Sequence, residues 1–197
     1  MHARHHVPTA LLVITLFAVP GCGYNDLQGL DEDIKAAWSE VLNQYQRRAD
    51  LIPNLVETVK GYAAHEKETL TAVTQARAQV AGIKATPELL KDPDAFQKFQ
   101  AAQGELSSAL ARLMVVVEKY PNLKANENFR DLQSQLEGTE NRISVARRDY
   151  ILAVQEYNTA LRTIPQRWIA SILYPDMKVR ETFTIPEQSQ QVPQVKF

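Results

Sequence analysis

The last long stretch of the chain limits the choice of fold most. From Phe129 to Ile164, apolar or small residues recur at alternating steps of three and four: Phe129, Leu132, Leu136, Thr139, Ile143, Ala146, Tyr150, Ala153, Tyr157, Ala160 and Ile164. That spacing keeps one stripe on one side of an α-helix. Between Asn126 and Pro165 the run is about 40 residues, so the helix is roughly 60 Å long. A helix of that length cannot bury its stripe alone. One seam position is large and the other mostly small, so a neighbouring helix can approach closely. The partners must come from the same chain through short connections, which favours antiparallel packing.

The remaining sequence supplies such partners. Residues 24–84 are helical in character, with Leu27, Leu30, Ile34, Ala37 and Val41 on one face and Trp38, Tyr45 and Ile52 widening it. Pro53 lacks an N–H and clashes with the preceding turn, so a kink or restart is expected near Leu51. The pattern then resumes through Leu55, Val59, Leu70, Val73, Ala76 and Val80. Residues 85–93 are a clear break, where Thr86-Pro87 and Asp92-Pro93 each place a capping residue before a proline. A further helix is expected to about Lys119, its seam being Phe96, Phe99, Gln103, Leu106, Leu110, Leu113, Val117 and Tyr120, and Pro121 ends it. With only 7 glycines, a strand-and-turn fold is disfavoured. The expected fold is all-α: an antiparallel bundle of three to four long helices, the first kinked at Pro53, with a short C-terminal helix and an irregular tail.

The amino terminus reads as an address. Residues 1–23, MHARHHVPTALLVITLFAVPGCG, join a short basic start to an apolar run from Val7 to Pro20. Crossing a bilayer takes about 20 apolar residues; the run is shorter and fits the hydrophobic region of a secretory signal. Cys22 follows at once, and it is the single cysteine in the chain. Val19-Pro20-Gly21-Cys22 resembles the lipobox of bacterial lipoproteins, in which the signal is cut before the cysteine and the thiol carries a lipid. The expected domains are a signal at 1–21, a helical bundle at 22–183 and an extended or disordered tail at 184–197. Lipidation is expected at Cys22, which places an exported protein on the periplasmic side of the inner or outer membrane. The alternative is an uncleaved signal anchor.

Composition removes several classes of function. The net charge is -1 with both signs interleaved, which gives no reason to expect nucleic acid. His65 is the one histidine beyond the signal, so common His-ligated metal centres cannot form within one chain, and neither metal nor cofactor is expected. Two polar clusters invite a closer look. Arg47, Arg48, Asp50 and Asn54 surround Pro53, where they suit bonds to backbone freed by the proline and to acidic groups on a facing helix. Glu137, Glu140, Asn141, Arg142, Arg147, Arg148 and Asp149 form the second. General acid–base work would need Glu137 and Glu140 to converge on a substrate; side by side on one helix they suit ion pairs to a neighbour.

The order of several motifs is specific. Tyr24-Asn25, Ala37-Trp38, RRADLIPNLVETVKGYAAHE at 47–66, Ala76-Arg77-Ala78, VVVEKYPNLKANENF at 115–129, QLEGTENRISVARRDY at 135–150 and EYN at 156–158 resemble the LemA family over about residues 24–183. The resemblance implies an all-helical bundle at the bacterial envelope and no particular activity. Many relatives start with a transmembrane helix, where this chain has a short signal and Cys22. Tyr174-Pro175 stands where relatives often have a glycine. Relatives are often encoded beside membrane proteins, which points to envelope or membrane proteins as partners. The expected role is that of a tethered interaction or scaffold protein and not an enzyme; the competing reading is an enzyme with a polar site between helices. Trp168, Ile169, Ile172 and Leu173 after Pro165 are the candidate interaction residues. They either fold back to cap the bundle end or present an apolar patch to a partner or bilayer.

Overall fold

The computed structural model describes residues 20–184, with the side chains of 20–25 and of Ile169 outside the description. Among the described residues there are helices and no strand: α1 Pro20–Tyr62, α2 Lys67–Gly82, a 3-10 turn Pro87–Lys91, α3 Pro93–Val117, the single turn α4 Pro121–Lys124, α5 Glu127–Arg162 and α6 Gln166–Leu173. The chain is all-α, as the sequence predicts. The long helices α1 and α5 pack against each other, while α2 packs mainly on α3. Of the expected signal at 1–21, residues 1–19 lie outside the described residues and residues 20–21 open α1; of the expected tail at 184–197, residues 185–197 lie outside them and Thr184 bonds Gln100.

Helix ends follow from local chemistry. The Asp92 side chain accepts from the backbone N–H groups of Asp94 at 3.0 Å and Ala95 at 3.1 Å, and Pro93 occupies the first helical position of α3. Asn126 caps α5 by accepting from Phe129 N at 3.0 Å. Thr86 heads only a 3-10 turn and makes no side-chain cap bond. α1 passes through Pro53 without a restart at Leu51, and the chain turns instead at residues 63–66. The apolar pitch hides this turn, because Val59, Ala63, Leu70 and Val73 are all buried and keep helical spacing across it.

Pro53 cannot donate to the carbonyl four residues back, that of Ala49. Arg77 of α2 donates its Nε to this oxygen at 2.9 Å. The freed carbonyl is thus satisfied as expected, but by a neighbouring helix and not by the Arg47–Asn54 cluster. Meeting this acceptor also ties α2 to the middle of α1.

The interior forms two apolar clusters. One joins Ile52, Leu55 and Val59 of α1 to Leu70 and Val73 of α2, Leu106 to Val117 of α3, and Phe129 and Leu136 of α5. The other joins Ile34, Trp38, Val41 and Tyr45 to Leu89, Leu90, Phe96, Phe99, Ile143, Tyr150, Val154, Tyr157 and Phe183. The α5 seam matches the expected stripe as far as Tyr150 and again at Tyr157. Val154 is then 1% exposed and Ala153 only half-buried, while Ile164 is 62% exposed. A helix of 3.6 residues per turn drifts off a strict seven-residue repeat by ~20° per heptad, which rotates Val154 inward.

Ala146 is 4% exposed at the close approach of α1 and α5. Leucine there has no room, so Ala146→Leu should cost about 1–3 kcal/mol and lower Tm by more than Gln133→Ala. Gln133 is half-buried and its amide bonds only to Glu137 within α5. Equal Tm values for the two variants would contradict this packing.

Candidate functional site

Between the apolar clusters lies a polar layer. Arg48 sits between Tyr45 and Ile52 on α1, Gln103 between Phe99 and Leu106 on α3, and Thr139 between Leu136 and Ile143 on α5. All three are core positions by spacing, and all three are buried: Arg48 1%, Gln103 5% and Thr139 0% exposed. The Arg48 guanidinium joins the helices. Its Nη1 donates to Ser107 Oγ and Glu140 Oε1, each at 2.8 Å, and its Nη2 donates to Gln103 Oε1 at 2.5 Å. Its face lies 5.1 Å from the Tyr45 ring centroid. A cleft of about 260 Å³ opens beside this group, lined also by Ser144, Arg147 and Thr184.

The members of the two sequence clusters part company here. Of the first, Arg48 turns inward; Arg47, Asp50 and Asn54 are exposed, and Asp50 accepts from Gln46 within α1 at 2.7 Å. Of the second, Glu140 reaches Arg48, whereas Glu137 accepts from Gln133 at 2.9 Å. The two carboxylates therefore have different partners and do not converge. Arg148 pairs with its neighbour Asp149 at 3.2 Å on the surface, and Arg142 bonds back to Gly138 O at 3.2 Å. His65 is exposed in the α1–α2 turn, and Glu66 beside it accepts from Tyr120 Oη at 3.0 Å. No group of three or more His, Cys, Asp or Glu side chains is placed to hold a metal among the described residues.

One feature was not visible in the sequence. After α6 the chain returns as an irregular strap, residues 174–184, along α5. The Asn158 amide clasps the backbone of Arg180 on both sides, donating to its carbonyl at 3.0 Å and accepting from its N–H at 2.8 Å. Tyr150 donates its hydroxyl to Glu181 O at 2.7 Å; burial pushes this phenol well above its ordinary pKa, so it stays a donor. Gln100 bonds the backbone of Thr184. The Arg180 guanidinium pairs with Asp31 at 2.5 Å, and Lys35 joins at 3.0 Å. Burial would raise the Asp31 carboxyl, but bonds and charges from Arg180 and Lys35 outweigh it and hold the pKa below the usual value. Phe183 plugs the aromatic cluster, 5.2 Å from Phe96 and 5.6 Å from Tyr150 by ring centroids, with the Arg147 guanidinium over it at 4.3 Å. Asn158 belongs to the EYN motif and Arg147 to the 135–150 motif, so the strap gives both a structural task. Apolar residues without a helical or strand period, as in YPDMKVRETFT at 174–184, are a weak sequence signal for a packed strap.

The candidate interaction residues lie on α6, which packs against α1 and α5. Ala170 is 7% exposed, so the helix does fold back on the bundle. Trp168 at 60%, Ile172 at 77% and Leu173 at 52% exposed nevertheless face away from it; the Ile169 side chain lies outside the described residues. Cys22 falls in the first turn of α1, and its side chain is likewise outside the description. No described helix is long and apolar enough to cross a membrane.

Two very long packed helices, crossed by an Arg–Gln–Glu layer and closed by a returning strap, make this an all-α helical-bundle protein. The chain belongs to the LemA family, whose model matches residues 37–197. It is 29% identical to Magnetosome protein MamQ 1 and to MamQ 2 of Paramagnetospirillum magneticum, over 84% of this chain and 67% of each relative. It is 28% identical to MamQ of Magnetospirillum gryphiswaldense over 76% of this chain and 61% of that protein. Protein LemA of Metamycoplasma hominis is 24% identical over 76% of this chain and 64% of its own length.

Proposed function

We propose that this chain is a membrane-tethered bundle of the bacterial envelope, held by a lipid on Cys22, that serves as an interaction or scaffold protein and is not an enzyme. The observation that carries the second half is the polar layer. Its one buried cation is already bonded to three helix-borne acceptors from within the chain, and its carboxylates are engaged separately. A group paired in this way specifies how three helices register. The first half rests on the apolar run that ends at Cys22, directly where α1 begins. The relatives named for the magnetosome are consistent with attachment to a larger cellular structure.

The test is crosslinking in intact cells, with wild type beside Cys22→Ser. Wild type should sit in the membrane fraction and capture envelope or membrane proteins; Cys22→Ser should be misprocessed or released and lose that capture. Cys22→Ser remaining membrane-bound at the wild-type size would assign anchoring to the hydrophobic run itself. Wild type that captures nothing above background would remove the scaffold reading.

A further inference from the structure

We propose that the outer face of α6 is a second membrane contact, lying in the bilayer interface beside the amino-terminal tether; this rests on the tethered reading above. The face is built for a nonpolar partner. Trp168 and Ile172 stand four residues apart, one helical turn, and are 60% and 77% exposed, with Leu173 at 52% on the same helix; Ile164, just before α6, is 62% exposed. Contiguous exposed apolar side chains at this density mark contact surfaces in proteins that are otherwise well packed, and this bundle buries its other long seams.

What selects a bilayer as the occupant is location. Gln166, the first residue of α6, lines a cleft together with Asp26, Gly29, Leu30 and Asp33 of α1. These are the first residues after the apolar run and Cys22. The lipid-bearing Cys22 and the α6 helix therefore lie at the same end of the bundle. A helix can lie in the interface with its apolar face about 5–10 Å into the headgroup and acyl boundary. Tryptophan suits that depth, with an apolar ring body and one polar N–H. Arg162 and Arg167 flank the face; both are exposed and have no ionic partner among the described residues, so they are free to meet anionic headgroups. A lipid tether at one residue fixes one point only, and a second contact at the same end would fix the tilt of the bundle on the surface.

The test reads Trp168 directly in the full chain. The protein is reconstituted into vesicles of phosphatidylethanolamine and phosphatidylglycerol, plain or with brominated acyl chains, and checked by flotation. Trp38 is 2% exposed inside the bundle and out of reach of bromine, so it serves as the internal standard. Brominated vesicles should quench the Trp168 part of the emission and leave the Trp38 part. That loss should vanish in Trp168→Phe and shrink in Ile172→Glu, an exposed change that leaves the core alone. If the chain floats with vesicles but its emission is the same in both lipids, the face does not touch the bilayer and the proposal is overturned while the tether stands. A chain that does not float at all overturns the tether and this contact with it.

Discussion

Arg48→Ala should lower stability by on the order of 3 kcal/mol, which for a chain of this size is a Tm loss of about 6–12 °C. The reasoning starts from what the substitution leaves behind. Gln103 is 5% exposed and would lose the charged donor to its Oε1. A buried amide oxygen without a donor costs about 1–3 kcal/mol, and the guanidinium leaves a hole between three helices. Glu140 contributes less, because its side chain is 42% exposed and a glutamine there keeps an acceptor for Arg48 Nη1. Glu140→Gln should therefore cost under about 1 kcal/mol. The contrast between the two variants is the decisive measurement, made by thermal or denaturant unfolding. Arg48→Ala as stable as wild type would show that the layer does not hold the helices. Its charge would then be retained for a ligand, and the competing reading of a polar site between helices would gain.

Phe183→Ala should detach the strap. Truncating a buried phenylalanine costs about 3–5 kcal/mol. Here the cost is limited by the free energy that holds residues 174–184 in place, since the strap can open locally without unfolding α1 and α5. Its other ties include backbone bonds to Asn158, Tyr150 and Gln100 and the Arg180–Asp31 pair. Phe183 lies 6.2 Å from Trp38 by ring centroids, so its loss admits water to the indole. In a Trp168→Phe background, where Trp38 alone reports, Phe183→Ala should shift emission to the red and speed proteolysis within 174–184. Unchanged emission and unchanged cleavage would mean that the strap is held by its polar clasps and that the ring is incidental.

The two variants probe features that differed in how well the sequence showed them. Gln103 stood out as the polar member of the α3 seam, whereas Arg48 was noticed only within the polar cluster around Pro53; its burial between Tyr45 and Ile52 came from the structure. Their meeting through Glu140, 92 residues from Arg48 in the chain, was not legible: periodicity says which face a residue is on and not which residue on another helix lies opposite. The α1–α2 turn was hidden because buried residues keep their pitch through it. Pro53, the more obvious breaker, was absorbed once Arg77 met the carbonyl it freed.

Local spacing and side-chain chemistry were enough for the all-α class, most of the apolar seams, the cap at Asp92, the start of the last long helix near Asn126 and the apolar run ending at Cys22. Each of these depends on interactions within a turn or two of helix, where spacing and side-chain chemistry suffice. Tertiary structure alone decided that Arg48 bridges three helices, that residues 174–184 return to seal the aromatic cluster, and that α6 covers the bundle with Ala170 while leaving Trp168 and Ile172 outside. Those outcomes depend on partners brought together from opposite ends of the chain. Their free energy comes from burial and from satisfying groups such as the Ala49 carbonyl, which acquire a need for a partner only once the helices have packed.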